Sequence, residues 1–246
     1  MDSRHSAVTA SALLGLAYRS REQELNKDFP RVFILLAGHF IGMEEGYSAI
    51  RQLDRNRTRL RLAADEQLFR DITVQELAAA TGVDDITAPA GLRSCSSEAA
   101  DMLFIPVLSL SLLSRLVQLD ASDPFVELIV RFLCAGKPVG TLTLGANPGH
   151  YRWGEQGMFQ APPRLKDELQ HKLTAIEDFG ITLLEPDQVN RWITSAQARL
   201  SRQVLTAEDI QAAVRLGTTS IRLAASAVIT PLAADLARQH GIEIEF

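Results

Sequence analysis

The sequence predicts an open three-layer α/β fold, with a mainly parallel, doubly wound sheet and a small α/β extension at its C-terminal end. Three observations carry this. Short, largely apolar runs recur along the chain: VFILLA at 32–37, MLFIPV at 102–107 and PVGTLTL at 138–144. Strands apolar on both faces belong to parallel sheets covered on each side. Helical periodicity fills the intervals, with stretches of about ten to fifteen residues, as expected of an open sheet rather than a barrel. The chain has 246 residues, 46% of them apolar, which suffices for one large domain and an appendage.

The elements follow in order. Residues 1–30 read as an N-terminal helical segment with a weak apolar stripe of Ala10, Leu13, Leu14, Leu16 and Ala17. The strand RVFILLAG (31–38) ends in glycine, and the helix EEGYSAIRQL (44–53) follows. TRLRLA (58–63) is a second strand. Arg55, Arg57, Arg59 and Arg61 alternate here and read as a solvated face. Thr73 precedes VQELAAA (74–80) as an N-cap, and VDDIT (83–87) is a short strand. After the strand at 101–107 come helices near 109–118 and 124–135, the strand at 137–144, a long helix near 163–178 and a strand at 180–185. The main domain is thus 31–186, and the extension is 187–246.

Composition removes several classes of function. A net charge of -5 offers no basic field for nucleic acid. No apolar run approaches the ~18 residues of a membrane span. Nothing at the start resembles a signal peptide. Two cysteines, Cys95 and Cys134, stand outside any CxxC or Cys/His spacing, which points to a reducing cytoplasm and away from structural zinc. His150 and Glu155 are too isolated for a metal site, His171 lies on a charged, solvent-facing helix, and Cys134 is expected in the core.

In open α/β sheets ligands bind beyond the carboxyl ends of the strands, where strand order reverses. Three strands here end in small or polar residues: Gly38 and His39; Ser109 and Ser111; Gly145, Ala146 and Asn147. Short side chains admit a ligand to main-chain N–H groups, and helix N-termini favour anions. As turn residues they would look the same. GHFIG (38–42) is not GxGxxG, and no GxxxxGK[ST] occurs, so a mononucleotide is the better candidate. The segment NPGHYRWGEQG (147–157), with Tyr151 and Trp153, suggests a flap over a ligand or an oligomer contact.

From about 31 to 185 the order and content of these segments resemble the FMN-binding flavoproteins that include the phosphopantothenoylcysteine and lantibiotic-peptide cysteine decarboxylases. The resemblance rests on a glycine-ended first strand, ADMLFIP (100–106), the serines opening the next helix, Asp123, and GKPV (136–139). In that family the segment reads A-D-x-x-x-x-P-A-[ST]-A-N-T-[IL]-[AS]-K. With one inserted residue, Ser109 takes the hydroxyl position, Ser111 the asparagine, Leu112 the threonine and Arg115 the lysine. The resemblance implies a Rossmann-like or flavodoxin-like fold, FMN held by Gly38, His39, Ser109, Ser111 and Asn147, and assembly as a trimer or a multiple of three. The family's catalytic histidine has no counterpart, because residues 87–100 hold none. Cysteine decarboxylation is therefore not implied.

The tail carries a second resemblance. Thr206 caps a helix over 204–217, and SIRLA (220–224) reads as a strand. ITPLAADLARQHGIEI (229–244) places Thr230 as N-cap, Pro231 at the first helical position and Gly241 as the stop. The phrase is similar to a tail on proteins of bacterial microcompartment operons, which implies a cytoplasmic protein with microcompartment partners. The extension has too little core to stand alone. Two classes of function stay open: an FMN-binding redox accessory protein (an oxidoreductase if it is an enzyme), and a non-catalytic accessory protein with a decayed flavin pocket.

Overall fold

The computed structural model describes residues 29–55, 58–87, 89–95, 97–158, 160–200, 204–215, 220–222 and 227–245. The N-terminal helical segment and Arg57 lie outside the described residues. Two compact units divide the chain, Met1–Thr194 and Ser195–Phe246. No helix among the described residues is long and apolar enough to cross a membrane.

The first unit is built on a six-stranded sheet, ordered β3-β2-β1-β4-β5-β6 and parallel throughout. The strands are β1 (Arg31–Leu36), β2 (Arg59–Ala64), β3 (Ile86–Thr87), β4 (Met102–Val107), β5 (Val139–Leu142) and β6 (Ile181–Leu184). Every residue of β4 is buried, as are Val32–Leu36 of β1. The continuous apolar runs follow from this, since each face of these strands meets a helical layer. The expected three-layer, doubly wound architecture is what the chain adopts. Among the four strands anticipated near 32–36, 59–63, 102–106 and 138–143, all pairing is parallel.

One face carries Phe33, Leu35, Leu103 and Ile105 under α4 (Leu110–Val117), α5 (Pro124–Cys134) and α7 (Pro163–Asp178). α1 (Met43–Arg55) connects β1 to β2 and packs on β4 through a close approach at Gly46. The short α2 (Leu68–Asp71) and α3 (Val74–Thr81) follow β2, and Thr73 forms a full capping box with Glu76 at the head of α3. α8 (Val189–Leu200) brings Trp192 against Gly140 of β5, where a Cβ would lie 2.7 Å from the indole ring. One irregularity interrupts the ladder. Ile34 faces Phe104 while Leu36 faces Val107, so Ile105 and Pro106 together oppose Leu35. This is a one-residue bulge at the proline, which has no N–H to give.

One expectation is corrected. Cys134 is exposed rather than in the core. The buried stripe of α5 is Phe125, Val126, Leu128, Ile129 and Phe132, and two residues past Phe132 the helix has turned away from it. The segment 147–157, read as a flap or an oligomer contact, contains a short helix, α6 (Tyr151–Glu155). Its Trp153 is buried and donates Nε1–H to the Leu144 carbonyl at 3.0 Å. Tyr151 stays 60% exposed.

In the second unit α9 (Ala207–Arg215) and α10 (Pro231–His240) pack together around Leu205, Ile210, Ala213, Ala233, Ala237 and Ile242. Thr206 and Thr230 head the two helices as expected. Gly241 takes the left-handed conformation at φ 67° that ends α10. β7 (Val204–Leu205) pairs with β9 (Val228–Ile229), and β8 (Ser220–Arg222) with β10 (Glu243–Glu245), both parallel. β7 and β9 are two residues each, too short to show a period in the sequence.

Gly46 gives a test of the α1–β4 approach. A Cβ there would lie 2.6 Å from Val107 Cγ2 and 3.1 Å from the Pro106 carbonyl oxygen. Alanine favours a helix by about 1 kcal/mol over glycine, but overpacking of this kind costs about 1–3 kcal/mol. Gly46→Ala is expected to lower the urea midpoint, and a raised midpoint would show that α1 can move off the sheet freely.

Candidate functional site at the strand-order reversal

Strand order reverses between β1 and β4, and the loops leaving their carboxyl ends diverge there. A cavity of about 900 Å³ opens at this point, within the ~300–1,000 Å³ usual for small-molecule sites. Its walls come from the loop after β1, the residues just after β2, the first turns of α1 and α4, and the start of α5. Gly38, His39, Ser109 and Ser111 all line it. Asn147 does not.

Each of these residues is held by a specific contact. The Gly38 N–H donates to Asp65 Oδ2 at 2.9 Å, while Asp65 Oδ1 accepts from the Leu68 N–H at 2.8 Å. The main-chain donor that would suit a ligand phosphate therefore already serves a carboxylate of the protein. His39 Nε2 lies 2.9 Å from the Gly145 carbonyl oxygen. A carbonyl only accepts, so Nε2 carries the hydrogen and Nδ1 the lone pair. Gly145 is required at this junction: a Cβ would lie 2.7 Å from both His39 Cδ2 and the Leu108 carbonyl oxygen. The loops after β1, β4 and β5 are thereby locked together.

Ser109 is buried as the N-cap of α4, its hydroxyl accepting from the Leu112 N–H at 3.1 Å. Ser111, one turn position later, is exposed to the cavity. Leu112 is a core residue, buried with Leu113 and Leu116. Arg115 pairs with Asp123, which also caps α5 by accepting from the Phe125 N–H at 2.8 Å. Asn147 sits in a turn, its Oδ1 accepting from the Gly149 N–H at 3.0 Å. At the mouth Phe40 is 52% exposed. It lies 4.1 Å from the His39 ring and 6.4 Å from the Trp153 ring, centroid to centroid.

Sequence reasoning passed over several cavity residues: Phe40, Tyr47, Asp65, Arg70 and Phe125. Asp65 had a signal. It directly follows a strand, and the rule that picked out Gly38 and Ser109 applies equally there. Arg70 had none, because α2 is a single turn that no periodicity announces. Burial raises the Tyr47 hydroxyl above its ordinary pKa. No cluster of three or more potential metal ligands occurs among the described residues.

Burial also holds the His39 imidazole below its ordinary pKa, outweighing the opposing effect of the Gly145 bond. Protons thus bind more readily to His39 in the unfolded chain. Its contribution to stability is complete above the unfolded value, near 6.5, and is lost as pH falls from there through the lowered folded value. His39→Gln keeps a donor for the Gly145 carbonyl but does not titrate. The fall in the urea midpoint between about pH 7 and about pH 5 is expected to be shallower in this variant than in the native chain. Equal slopes would mean that His39 is not held neutral.

No protein-family model matches the chain, and no curated protein sequence does. Solved structures do resemble it in fold. The FMN-dependent cysteine decarboxylase SpaF is 14% identical, with 71% of this chain and 99% of that one covered at a TM-score of 0.50. TvaF, an FMN-dependent cysteine decarboxylase from thioviridamide biosynthesis, is 14% identical over 70% of this chain and 99% of that one, at 0.49. A dodecameric FMN-dependent Ubix-like decarboxylase from Escherichia coli O157:H7 is 13% identical over 69% and 92%, at 0.45. Over about seven-tenths of its length, this chain folds as an α/β protein similar to SpaF.

Proposed function

We propose that the crevice between β1 and β4 binds FMN, and that the chain is a flavoprotein acting as a redox accessory protein of a bacterial microcompartment pathway. One observation carries the reading. A cavity of about 900 Å³ at the strand-order reversal joins the amino end of α4 to an apolar wall. Ser111 and the amino end of α4 supply donors for an anion, while Phe40 and Met43 offer surface to a planar ring. SpaF is an FMN-dependent protein of similar fold, and the motif resemblance over 100–115 points the same way.

Bound flavin supplies two-electron oxidation and reduction; the protein supplies position and donors. Ser109 acts indirectly, by fixing the first turn of α4. His39 shapes the wall and locks its loop to Gly145. Asn147 belongs to the neighbouring loop, outside the cavity wall, where its Oδ1 holds a turn at Gly149. An oxidoreductase role is preferred to cysteine decarboxylation because 87–100 holds no histidine. Assembly as a trimer or a multiple of three and association with microcompartment proteins belong to the same proposal. The second reading, a non-catalytic accessory protein, is favoured by Asp65 on the Gly38 N–H and by Leu112 in the core.

The absorption spectrum of the purified full-length protein, with analysis of heat-released ligand, tests the proposal. Flavin bands and released FMN are expected. A colourless protein that takes up no FMN at millimolar concentration would leave the accessory reading. Ser111→Ala is expected to weaken FMN binding about tenfold, since a hydrogen bond to a charged acceptor is worth ~1.5 kcal/mol or more. Its melting temperature should not move, as the side chain is exposed. Ser109→Ala, by contrast, loses a cap and should cost about 0.5–2 kcal/mol of stability.

A further inference from the structure

Asp65 stands where this crevice would otherwise present an anion site. Both of its oxygens are engaged, Oδ2 by the Gly38 N–H at 2.9 Å and Oδ1 by the Leu68 N–H at 2.8 Å. Main-chain N–H groups at the end of the first strand of such a sheet are the ordinary seat of a ligand phosphate. Here a carboxylate of the protein sits on one of them. The rest of the wall does not reverse the sign. Its charged residues are Asp65, Glu66, Asp71 and Asp123 against Arg70 and Arg115, and Arg115 is already paired with Asp123. Four carboxylates face two guanidinium groups.

We propose that Asp65 is a built-in counter-anion. It occupies the amide of the β1 loop that would hold a phosphate, and so makes the crevice select against phosphate at its β2 side. The contact does two jobs. It satisfies donors that would otherwise be stranded at the sheet edge, so the crevice keeps its shape without a ligand. It also places a fixed negative charge beside the position a phosphate would take, a repulsive element of the kind that sets specificity. A ligand is then gripped here by its ring and its hydroxyls. Each Asp65 oxygen has a second lone pair for a ligand hydroxyl. The proposal rests on the flavin reading only for the identity of the ring. The charge argument holds for any phosphate-bearing ligand.

The test uses the full chain and two probes. Inorganic phosphate is titrated into the native protein and Asp65→Asn, with the Gly38 amide resonance as the local readout. The Asn side chain keeps one acceptor for a main-chain N–H and removes the charge; Asp65→Ser serves as a second variant should Asp65→Asn melt substantially lower. The expected result is at least tenfold tighter phosphate binding in the variant, with a Gly38 amide shift absent from the native protein. A purely structural Asp65 would give no such gain. Equal phosphate binding in both proteins, or weaker binding in a folded variant, overturns the proposal. In parallel, affinities for FMN and riboflavin are compared. The preference for FMN over riboflavin should rise about tenfold or more on removing the charge, and an unchanged ratio between measurable affinities also overturns it. Uptake of neither flavin by any of the proteins sinks the flavin reading alone, because the phosphate arm still decides the role of Asp65.

Discussion

The structure depends on β1 being hydrogen-bonded on both sides, to β2 and to β4, in the same parallel sense. Two parallel neighbours require two crossover connections, and the right-handed preference sends them over opposite faces of the sheet. The strand is therefore covered above and below, which is why Val32, Phe33, Ile34, Leu35 and Leu36 are all 0% exposed. The same constraint opens the crevice. Chains leaving the carboxyl ends of β1 and β4 must part in opposite directions, and no side chain of the sheet fills the gap between them. Gly46 and the bulge at Ile105 and Pro106 are local adjustments that let α1 lie close to β4 at this point.

A crevice formed by diverging loops exposes polar main-chain groups at a sheet edge, and each must find a partner. This chain meets the demand largely with its own side chains. Asp65 serves the Gly38 and Leu68 N–H groups, His39 the Gly145 carbonyl, Ser109 the Leu112 N–H and Asp123 the Phe125 N–H. Such a site is preorganised, and a ligand loses less on binding because the loops are already ordered. It is also chemically committed, since donors used internally are withdrawn from a ligand. The balance falls differently on the two sides of the crevice. At α4 the side chain of Ser111 is exposed to the cavity, whereas at β2 a carboxylate occupies the Gly38 amide.

The similarity to SpaF lies in the scaffold, while this chain departs at Leu112 from the threonine of the sequence motif it resembles. Leu112 illustrates the difference. It is buried with Leu113 and Leu116 against the helical layer, so the apolar residue at that position strengthens the core under α4. Asp65 makes a corresponding point from the β2 side, where its carboxylate is held by the Gly38 and Leu68 N–H groups.

The sequence alone determined the layers. Continuous apolar runs at 32–37 and 102–107 can be buried only in a sheet covered on both faces, and caps such as Thr73, Asp123 and Thr230 mark helix starts through chemistry confined to a few residues. It also brought the loops at Gly38 and Ser109 to one edge, because strand direction and the position of small residues are local facts. Tertiary structure decided what each polar group touches. Nothing in the order of residues shows that Asp65, 27 positions from Gly38, closes on its N–H, or that His39 reaches Gly145 across 106 positions. The pairs β7–β9 and β8–β10 were likewise settled by long-range contact, their two- and three-residue strands carrying no period. Periodicity and capping act within a few residues and are written in sequence. Partner choice among buried polar groups depends on which loops the fold brings within about 3 Å of one another, the reach of a hydrogen bond.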